Sequence, residues 1–298
     1  MRTTAPRSVF SMSIQTNIQA QFDSYPPSMR RIAEVILSRP QVVLEETITR
    51  LARLCETSET SIVRFCRTLG FTGYAPMKLQ MAAELATETA QFGADASYGS
   101  DIRLTDTLVE MVSKISASEI FGIQETAASL DMNALQLVIT RILGAQKVVL
   151  FGVAASNAGA QDLAQKLLRI GRVALWFQDA HDALVSAALL EPGDVAIGFS
   201  HSGRTRETSE LLRVAQVRGA FTAAVTNVEG SPVTAHADAV LRTAVRETTF
   251  RSGAMASRIA QLTLVDYIFV GVARDSYDTS VQALKSTYES VNVLRGDR

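Results

Sequence analysis

The stretch VAIGF-SHSGRT-RETSELLRVAQVR, residues 195–218, indicates the fold class of this chain. The apolar run at 195–199 follows the turn residues PGD at 192–194, which predicts a short buried strand. Apolar residues at helical spacing over 206–218 predict a helix that ends at Gly219. The polar residues 200–205 therefore form a loop from the carboxyl end of a strand to the start of a helix. Open α/β sheets bind their ligands at such places.

The loop 200–205 has the composition of an anion site. Ser200, Ser202 and Thr205 carry hydroxyls that can donate to phosphate oxygens, and Gly203 lets the backbone approach closely. Backbone N–H groups and the positive end of the helix dipole favour an anion there. Helix capping alone would explain one hydroxyl, but three hydroxyls and a glycine in six residues exceed what a cap requires. His201 is either a further ligand contact or a polar residue at the rim of the loop.

Strands and helices alternate along the chain around this loop. Predicted strands lie at 147–151, 173–176, 194–199, 221–226 and 239–243, with predicted helices at 158–170, 183–190, 206–218 and 257–274. This order predicts an α/β doubly wound parallel sheet that is covered on both faces. A second strand-to-helix loop, GVAASN at 152–157, offers Ser156, Asn157 and backbone amides. The two loops predict one phosphate shared between them.

Nucleotide cofactors are excluded by the sequence of the first loop and of the strand that follows. GVAASNA at 152–158 lacks the GxGxxG pattern of dinucleotide sites, and no P-loop pattern is present. Trp176 and Phe177 stand where an acidic residue would hold a ribose. We therefore predict no cofactor.

Residues 14–90 predict an all-helical domain with a helix-turn-helix at its centre. A short helix at 47–54, a turn at 55–57 and a second helix at 59–69 have the lengths of that motif. Small polar residues begin the second helix and basic residues follow, so the predicted base and phosphate contacts are Ser58, Thr60, Ser61, Arg64, Arg67 and Lys78. An ordinary helical hairpin with a solvated basic face is the alternative.

Charge is divided unevenly along a chain whose formal net charge is −1. Residues 1–80 hold ten Lys and Arg against six Asp and Glu, whereas the remainder holds 19 against 24. The basic first part favours a polyanion partner there. Cys55 and Cys66 are expected to be buried, reduced thiols, and no metal site is predicted. Without a signal peptide or an apolar run that spans a bilayer, we predict a cytoplasmic protein with no membrane partner.

The predicted domain limits follow composition and periodicity. Residues 1–13 are expected to be a disordered tail, 14–90 the helix-turn-helix domain, 91–106 a linker, and 107–298 the α/β domain with flanking helices. The apolar helices at 107–143 and 257–274 exceed what the sheet needs as cover. They predict a homodimer or homotetramer that presents two reading helices to a palindromic operator.

Two segments resemble known domains. Residues 147–274 resemble a SIS, or sugar isomerase, domain through FGVAAS, KLLRIG, DVAIGFSHSGRTRET, AAVTN and SPVTAHAD. Residues 14–90 resemble the helix-turn-helix domain of RpiR-family bacterial regulators through ITRLARLCETSETSIVRFCRTLGFTGYAPMKLQMA. The resemblance implies a transcription regulator of carbohydrate metabolism whose operator binding responds to a sugar phosphate. The resemblance also implies that the side-chain hydroxyls that bind the phosphosugar in this family correspond to those of Ser156, Ser200, Ser202 and Thr205. The chain departs from the family pattern Gly-x-Gly-x-Ser at Ala154.

A phosphosugar isomerase is the alternative function. Such an enzyme needs a base, usually Glu, and a group that opens the ring, often His. His181 and His201 follow strands, whereas His236 is expected at the surface. Glu247 and Arg251 follow the fifth strand and could line the site, but residues of these types are more often solvated charges than site residues. No Glu–His arrangement follows from the sequence, so we assign no catalytic residue and predict a regulator. A pure assembly module is a third class. The choice between repressor and activator stays open.

Overall fold

The structure, a computed structural model of the 298-residue chain, describes residues 13–92, 102–245 and 254–292. Two compact units share the chain: Met1–Ser129 with Ala244–Ala256, and Leu130–Thr243 with Ser257–Arg298. Most of the predicted tail and residues 93–101 of the predicted linker lie outside the described residues. This division groups residues 107–129, at the start of the predicted α/β domain, with the first unit. The predicted domain limits stay a prediction.

The described part of the first unit is helical. Its elements are α1 (Ile14–Gln21), α2 (Pro27–Ser38), α3 (Val42–Glu45), α4 (Ile48–Leu54), α5 (Glu59–Thr68), α6 (Tyr74–Phe92) and α7 (Leu108–Ser129). One core joins the first six helices around fully buried side chains such as Ile32, Leu51, Phe65 and Met77. The periodic apolar residues of the sequence are the ones that this core buries, as an amphipathic helix requires.

Two features at the start of the first unit differ from the sequence prediction. Serine is a preferred N-cap residue, and the sequence predicts that Ser28 caps a helix starting at Met29. This prediction is wrong, because Pro26 occupies the N-cap position and Pro27 begins the helix. Proline suits the first helical position, where its missing N–H is not needed. The four-residue helix α3 was not predicted, because one turn is too short to show a periodicity. Ser13, placed in the predicted tail, caps α1 by accepting from the backbone N–H of Thr16 at 3.3 Å.

The second unit is a five-stranded sheet with helices. In chain order it contains α8 (Met132–Gly144), β1 (Val148–Gly152), α9 (Asn157–Arg169), β2 (Ala174–Trp176), α10 (Ala180–Ala188), β3 (Val195–Phe199), α11 (Arg206–Val217), β4 (Phe221–Thr226), β5 (Ala239–Arg242), most of α12 (Met255–Asp275) and α13 (Tyr277–Asn292). All pairings between neighbouring strands are parallel, in the order β2-β1-β3-β4-β5. The predicted doubly wound α/β fold is confirmed.

Side chains of the central strands alternate between two buried faces. On β1, Val148 and Leu150 pack with residues of α8, α9 and α12, whereas Val149 and Phe151 pack with residues of α10 and α11. All five residues of β1 and of β3 are buried. Burial on both faces explains why these strands read as continuous apolar runs rather than as alternating ones.

Helix α12 is, among the described residues, the one element long and apolar enough to cross a membrane by length and composition alone. The sequence prediction had excluded such a run. Leu264, Val265 and Ile268 of this helix are fully buried in the core of the second unit. Core helices of soluble proteins pass the same test, so the apolarity of α12 is weak evidence for a membrane span.

Candidate effector and DNA-binding sites

The sheet order places the two predicted ligand loops side by side. From β1 the chain moves to β2 on one side, and β3 then adds to the other side of β1. The register pairs Gly152 with Phe199, the last residues of β1 and β3. Both loops therefore leave the sheet at the point where the winding direction reverses. Sheets of this strand order bind ligands in that crevice.

Ser200 and Thr205 join the two ends of the loop 200–205. Their hydroxyl oxygens lie 2.9 Å apart, and one of the two hydroxyls donates to the other. The hydroxyl that accepts keeps its own proton, which it can donate to an anion. Thr205 occupies the N-cap position of α11, but its side chain makes no capping hydrogen bond. The capping explanation therefore does not account for this hydroxyl. Ser202 is half-buried, and its Oγ accepts from the backbone N–H of Arg204 at 3.3 Å.

Gly203 is required by backbone conformation and by space. Its φ of +66° lies in the left-handed region, and a Cβ at this position would overlap the Oγ and Cβ of Ser231. The carbonyl of Gly203 accepts from the N–H of Val233 at 3.0 Å. These contacts hold the loop against the segment that follows β4. The close approach of the Gly203 backbone to an anion stays a prediction.

The first loop contains one required glycine and one missing glycine. A Cβ on Gly152 would lie 2.7 Å from the backbone oxygen of Ser156, so only glycine fits there. Ala154, the residue that departs from the family pattern, has a left-handed φ of +53° and an exposed side chain. An L-residue in that conformation costs roughly 1–2 kcal/mol. The position where the family pattern has glycine is thus left-handed in this chain, a conformation that glycine would adopt without strain.

Ser156 and Asn157 end the first loop and begin α9. The Oγ of Ser156 accepts from Nε2 of Gln261 at 3.2 Å. Oδ1 of Asn157 accepts from the indole N–H of Trp176 on β2 at 2.5 Å. The carboxamide oxygen of Asn157 is therefore bonded to β2. The N–H groups of the same carboxamide are the donors that Asn157 can offer to a ligand. Gln261 is a site residue that sequence reasoning missed, because it lies 105 positions from Ser156.

The three histidines occupy different environments. His201 is half-buried, and its backbone carbonyl accepts from the N–H of Asn227 at 3.0 Å and from Oγ1 of Thr226 at 3.3 Å. The ligand role of its side chain stays a prediction. His181 is exposed at the start of α10. Nδ1 of His236 lies 3.2 Å from Oε1 of Gln216, near the end of α11 that is remote from the loop 200–205. Glu247 and Arg251 lie outside the described residues.

The helix-turn-helix geometry rests on two well-formed helix ends. Ser58 caps α5, and its Oγ accepts from the N–H of Ser61 at 3.2 Å. Two residues after the end of α4, Glu56 lies in the left-handed region at φ +48°. The N–H of Glu56 bonds to the carbonyl of Arg53, and the N–H of Thr57 bonds to the carbonyl of Ala52. These two bonds form a Schellman motif, which usually has glycine in the place of Glu56.

Arg31 of α2 is hydrogen-bonded to the turn between α4 and α5. Its guanidinium donates from Nε to the carbonyl of Cys55 at 3.1 Å and from a terminal nitrogen to the carbonyl of Glu56 at 2.8 Å. Both acceptors belong to the end of α4, where carbonyl groups lack helical partners. Sequence reasoning missed Arg31, because an arginine on an amphipathic helix is usually a solvated charge.

The predicted reading residues lie on the outward side of α5. Thr60, Arg64 and Arg67 are exposed, and Ser61 is half-buried. The opposite side of α5 faces the core, where Ile62, Phe65 and Cys66 are buried. Lys78 is half-buried, and its Nζ donates to the carbonyl of Glu46 at 3.1 Å. Lys78 thus has a structural bond, and its phosphate contact stays a prediction, as do the contacts of the other five residues.

Both cysteines are free and buried. Burial raises the pKa of the Cys55 thiol and of the Cys66 thiol to about 11. Thiols of this kind are protonated at neutral pH and unreactive. Within the described ranges, no group of three or more His, Cys, Asp or Glu side chains could hold a metal ion.

Comparison with known proteins agrees with the two-unit layout. A model of the rpiR-family helix-turn-helix domain matches residues 12–88, and a model of the SIS domain matches residues 141–271. An HTH-type transcriptional regulator of Caldanaerobacter subterraneus is 38% identical over 93% of this chain and 96% of its own length. An HTH-type transcriptional regulator of Haemophilus influenzae is 32% identical over 97% of this chain and 98% of its own length. The chain is therefore a helix-turn-helix protein with a SIS domain, and it belongs to the RpiR family of transcriptional regulators.

A solved structure is similar over most of the chain. The NanR protein of Vibrio vulnificus, complexed with ManNAc-6P, is 28% identical and covers 94% of this chain and 98% of its own. Its TM-score with this chain is 0.59. The similarity includes both the helix-turn-helix region and the SIS domain.

Proposed function

We propose that this chain is a DNA-binding transcriptional regulator of carbohydrate metabolism, controlled by a sugar phosphate bound at the loops 152–157 and 200–205. The observation that carries the proposal is the pairing of Gly152 with Phe199, which starts both hydroxyl-bearing loops from one point of the sheet. A phosphate there would meet the hydroxyls of Ser156, Ser200, Ser202 and Thr205. The N-terminal ends of α9 and α11 are the positive ends of their helix dipoles, which favour the phosphate.

The chemistry of the loops favours a phosphorylated sugar over a free sugar. Hydroxyl and backbone N–H donors suit an anion. The positive ends of the helix dipoles attract a negative charge, and a neutral sugar would not benefit from them. Asn157 and His201 add polar groups beside the phosphate for the sugar hydroxyls. The NanR protein of Vibrio vulnificus was complexed with ManNAc-6P. We take N-acetylmannosamine 6-phosphate as the first ligand to test.

A thermal-shift screen tests the effector site. The panel contains hexose and N-acetylhexosamine 6-phosphates, the parent sugars and inorganic phosphate. Trp176 is the only tryptophan of the chain and lies in the second unit, so its fluorescence reports the melting of that unit. A ligand that binds only the native state raises the melting temperature as its concentration increases. We expect such a rise for at least one phosphosugar and none for its parent sugar.

Ser202→Ala locates the binding of that phosphosugar. The variant should reduce the thermal shift, because it removes one donor to the phosphate. Ser209→Ala is the matched control: the hydroxyl of Ser209 lies on α11 and donates to the carbonyl of Pro232 at 3.3 Å. An equal shift in the wild type and Ser202→Ala, measured at subsaturating ligand, would place the site elsewhere.

DNA binding is tested on the outward side of α5. Operator fragments are selected from genomic DNA with the full chain, and their affinity is measured at several salt concentrations. Arg64→Ala should weaken binding and flatten the dependence of log K on log salt by about 0.9 for each phosphate that the variant no longer neutralises. Arg213→Ala removes the same charge from α11, where Arg213 pairs with Glu210 at 2.6 Å. An unchanged slope for Arg64→Ala would remove this residue from the interface.

The assembly and the absence of catalysis belong to the same proposal. Exposed apolar side chains on α7, such as Leu108, Val109 and Val112, support a homodimer or homotetramer. A two-fold assembly places reading helices on half-sites about one helical turn apart or a multiple of it. Light scattering of the purified chain tests the assembly. We propose that the SIS domain binds without isomerising, and that the cytoplasm is the site of action. Isomer formation from a bound phosphosugar would contradict the first claim.

A further inference from the structure

The last residue of β2 is hydrogen-bonded to the first residue of α9. The indole N–H of Trp176 donates to Oδ1 of Asn157 at 2.5 Å. Both residues are half-buried and belong to the second unit. The indole packs against the apolar core that β1, α9 and α12 share. Because the ring is rigid, this packing fixes the direction in which its N–H points.

The indole N–H decides which way the carboxamide of Asn157 is turned. An indole nitrogen is a donor only, and the oxygen is the one atom of a carboxamide that accepts a hydrogen bond. The oxygen of Asn157 must therefore face Trp176, and its NH2 group must be directed away from the indole. Without this bond, rotation about the last side-chain torsion would exchange the two ends of the carboxamide.

Asn157 lies close to the carboxyl end of β1. A Cβ built on Gly152, the last residue of β1, would be 3.1 Å from the backbone nitrogen of Asn157. Strand β2 lies on one side of β1, and β3 with the loop 200–205 lies on the other side. The carboxamide oxygen of Asn157 is bound on the β2 side, so its NH2 group is directed away from β2. The crevice between the two ligand loops is on that side of β1.

Close packing of α9 on β3 sets the backbone position of Asn157. Gly159 lies two residues further along α9, and a Cβ on it would be 3.1 Å from Cδ1 of Phe199. Phe199 is the last residue of β3 and is fully buried. The start of α9 therefore rests on the strand that leads into the loop 200–205. With the backbone placed in this way, the rotation of the carboxamide decides what Asn157 offers to the crevice.

We propose that Trp176 is a positioning residue of the effector site, which keeps the amide N–H groups of Asn157 toward the crevice. The inference rests on the proposed function. The ligand atom beside Asn157 is then a hydrogen-bond acceptor, an oxygen of the phosphate or of the sugar. Trp176 acts on the ligand through Asn157 and not by direct contact. A carboxamide turned the other way would place its oxygen against the anion and weaken binding.

The single tryptophan of the chain allows the indole N–H to be removed alone. Expression in a tryptophan auxotroph with benzothienylalanine puts a sulfur in place of the indole nitrogen at position 176 and nowhere else. The shape of the side chain is kept and the donor is lost. A ring-fluorinated tryptophan, which keeps the N–H, is the matched control. Titration calorimetry then measures the affinity for N-acetylmannosamine 6-phosphate, or for the panel phosphosugar with the largest thermal shift.

Loss of the indole donor should weaken effector binding about three- to tenfold, whereas the fluorinated control should bind like the unsubstituted chain. Asn157→Ala should weaken binding by a similar or larger factor. In Asn157→Ala, the sulfur analogue should change the affinity no further, because Trp176 acts through Asn157 alone. Asn157→Asp still accepts from Trp176 but places a negative charge beside the phosphate, so it should weaken binding more than about tenfold.

Melting curves without effector test the hydrogen bond separately from the proposed function. The sulfur analogue should lower the melting temperature of the wild type and of Asn157→Asp, but not that of Asn157→Ala. Equal lowering in all three would overturn the inference. So would an analogue that leaves the effector affinity of the wild type unchanged, or that lowers it equally in Asn157→Ala.

A wild type that binds no phosphosugar would overturn the proposed function and, with it, the role of Trp176, even where the melting curves confirm the hydrogen bond. The same curves identify a variant that fails to fold. Asn157→Leu then replaces Asn157→Ala, because leucine keeps the shape of asparagine without its polar atoms. The sulfur analogue should again leave the affinity of that variant unchanged.

Discussion

Replacing Gly203 with alanine should destabilise the second unit by about 2–4 kcal/mol. The left-handed φ of +66° costs an L-residue roughly 1–2 kcal/mol, and the stiffer unfolded chain returns about 0.4–1 kcal/mol. The new Cβ would also overlap the side chain of Ser231. Ser231 is 6% exposed and its Oγ donates to the carbonyl of Val228 at 2.8 Å, so a shift of this side chain would cost a buried hydrogen bond. Overpacking of this kind adds about 1–3 kcal/mol.

Gly230 provides the matched control for the backbone contribution. It has a φ of +67°, close to that of Gly203, but no heavy atom lies within 4 Å of a Cβ built on it. Gly230→Ala should therefore cost only about 0.5–1 kcal/mol. The difference between the two variants measures the steric contribution. In Gly203→Ala with Ser231→Gly, the overlapping atoms are absent, so most of that difference should disappear.

Urea unfolding followed by Trp176 fluorescence measures these free energies. Trp176 belongs to the second unit, and the chain contains no other tryptophan. The first unit therefore does not contribute to the tryptophan signal. Equal losses for Gly203→Ala and Gly230→Ala would refute the steric reasoning. A loss that persists fully in the double variant would refute the assignment to Ser231.

Two further predictions concern a buried carboxyl and the first ligand loop. Burial, followed by the nearby charges of Glu125 and Glu88, raises the pKa of Glu84 to about 7 from an ordinary value near 4.5. Between these pH values the folded chain retains a proton that the unfolded chain has released, so stability falls as the pH rises, by up to about 3 kcal/mol. Glu84→Gln should remove this loss. Calorimetry should find the variant more stable than the wild type at pH 8 and equally stable near pH 4. Parallel pH profiles of stability for the two proteins would contradict this prediction. Ala154→Gly should stabilise the second unit by about 0.5–1 kcal/mol, because glycine adopts the φ of +53° without strain. An unchanged or lower urea midpoint of Trp176 fluorescence would contradict it.

Local patterns predicted most of the fold. The apolar runs that became β1, β3 and β4 are buried on both faces, so their composition alone separates them from the amphipathic helices. A serine or aspartate just before an apolar helical pattern predicts a helix cap. Ser58 and Asp131 fit this rule, since the side chain of each accepts from the backbone N–H of one or two residues in the first turn of its helix. The misassigned Ser28 lies beside two prolines, where the preference of proline for the first helical turn outweighs that of serine for the cap.

Contacts between distant residues could not be predicted. The pairing of Thr205 with Ser200 follows from their places in one short loop, but the bond from Gln261 to Ser156 depends on how α12 packs on the sheet. The bonds from Arg31 to the turn after α4 have the same origin. The steric part of the need for glycine at position 203 depends on Ser231, which lies beyond an intervening strand. Spacing along the chain contains no information about these distances.

The most direct measurement of the central claim is operator affinity as a function of sugar-phosphate concentration. The full chain is titrated against a fluorescent operator fragment at constant salt, with the phosphosugar found by thermal shift, its parent sugar and inorganic phosphate. We predict that operator affinity changes with the phosphosugar alone and that the concentration for half the change rises in Ser202→Ala. An operator affinity that stays constant at saturating phosphosugar would contradict control of DNA binding through these loops.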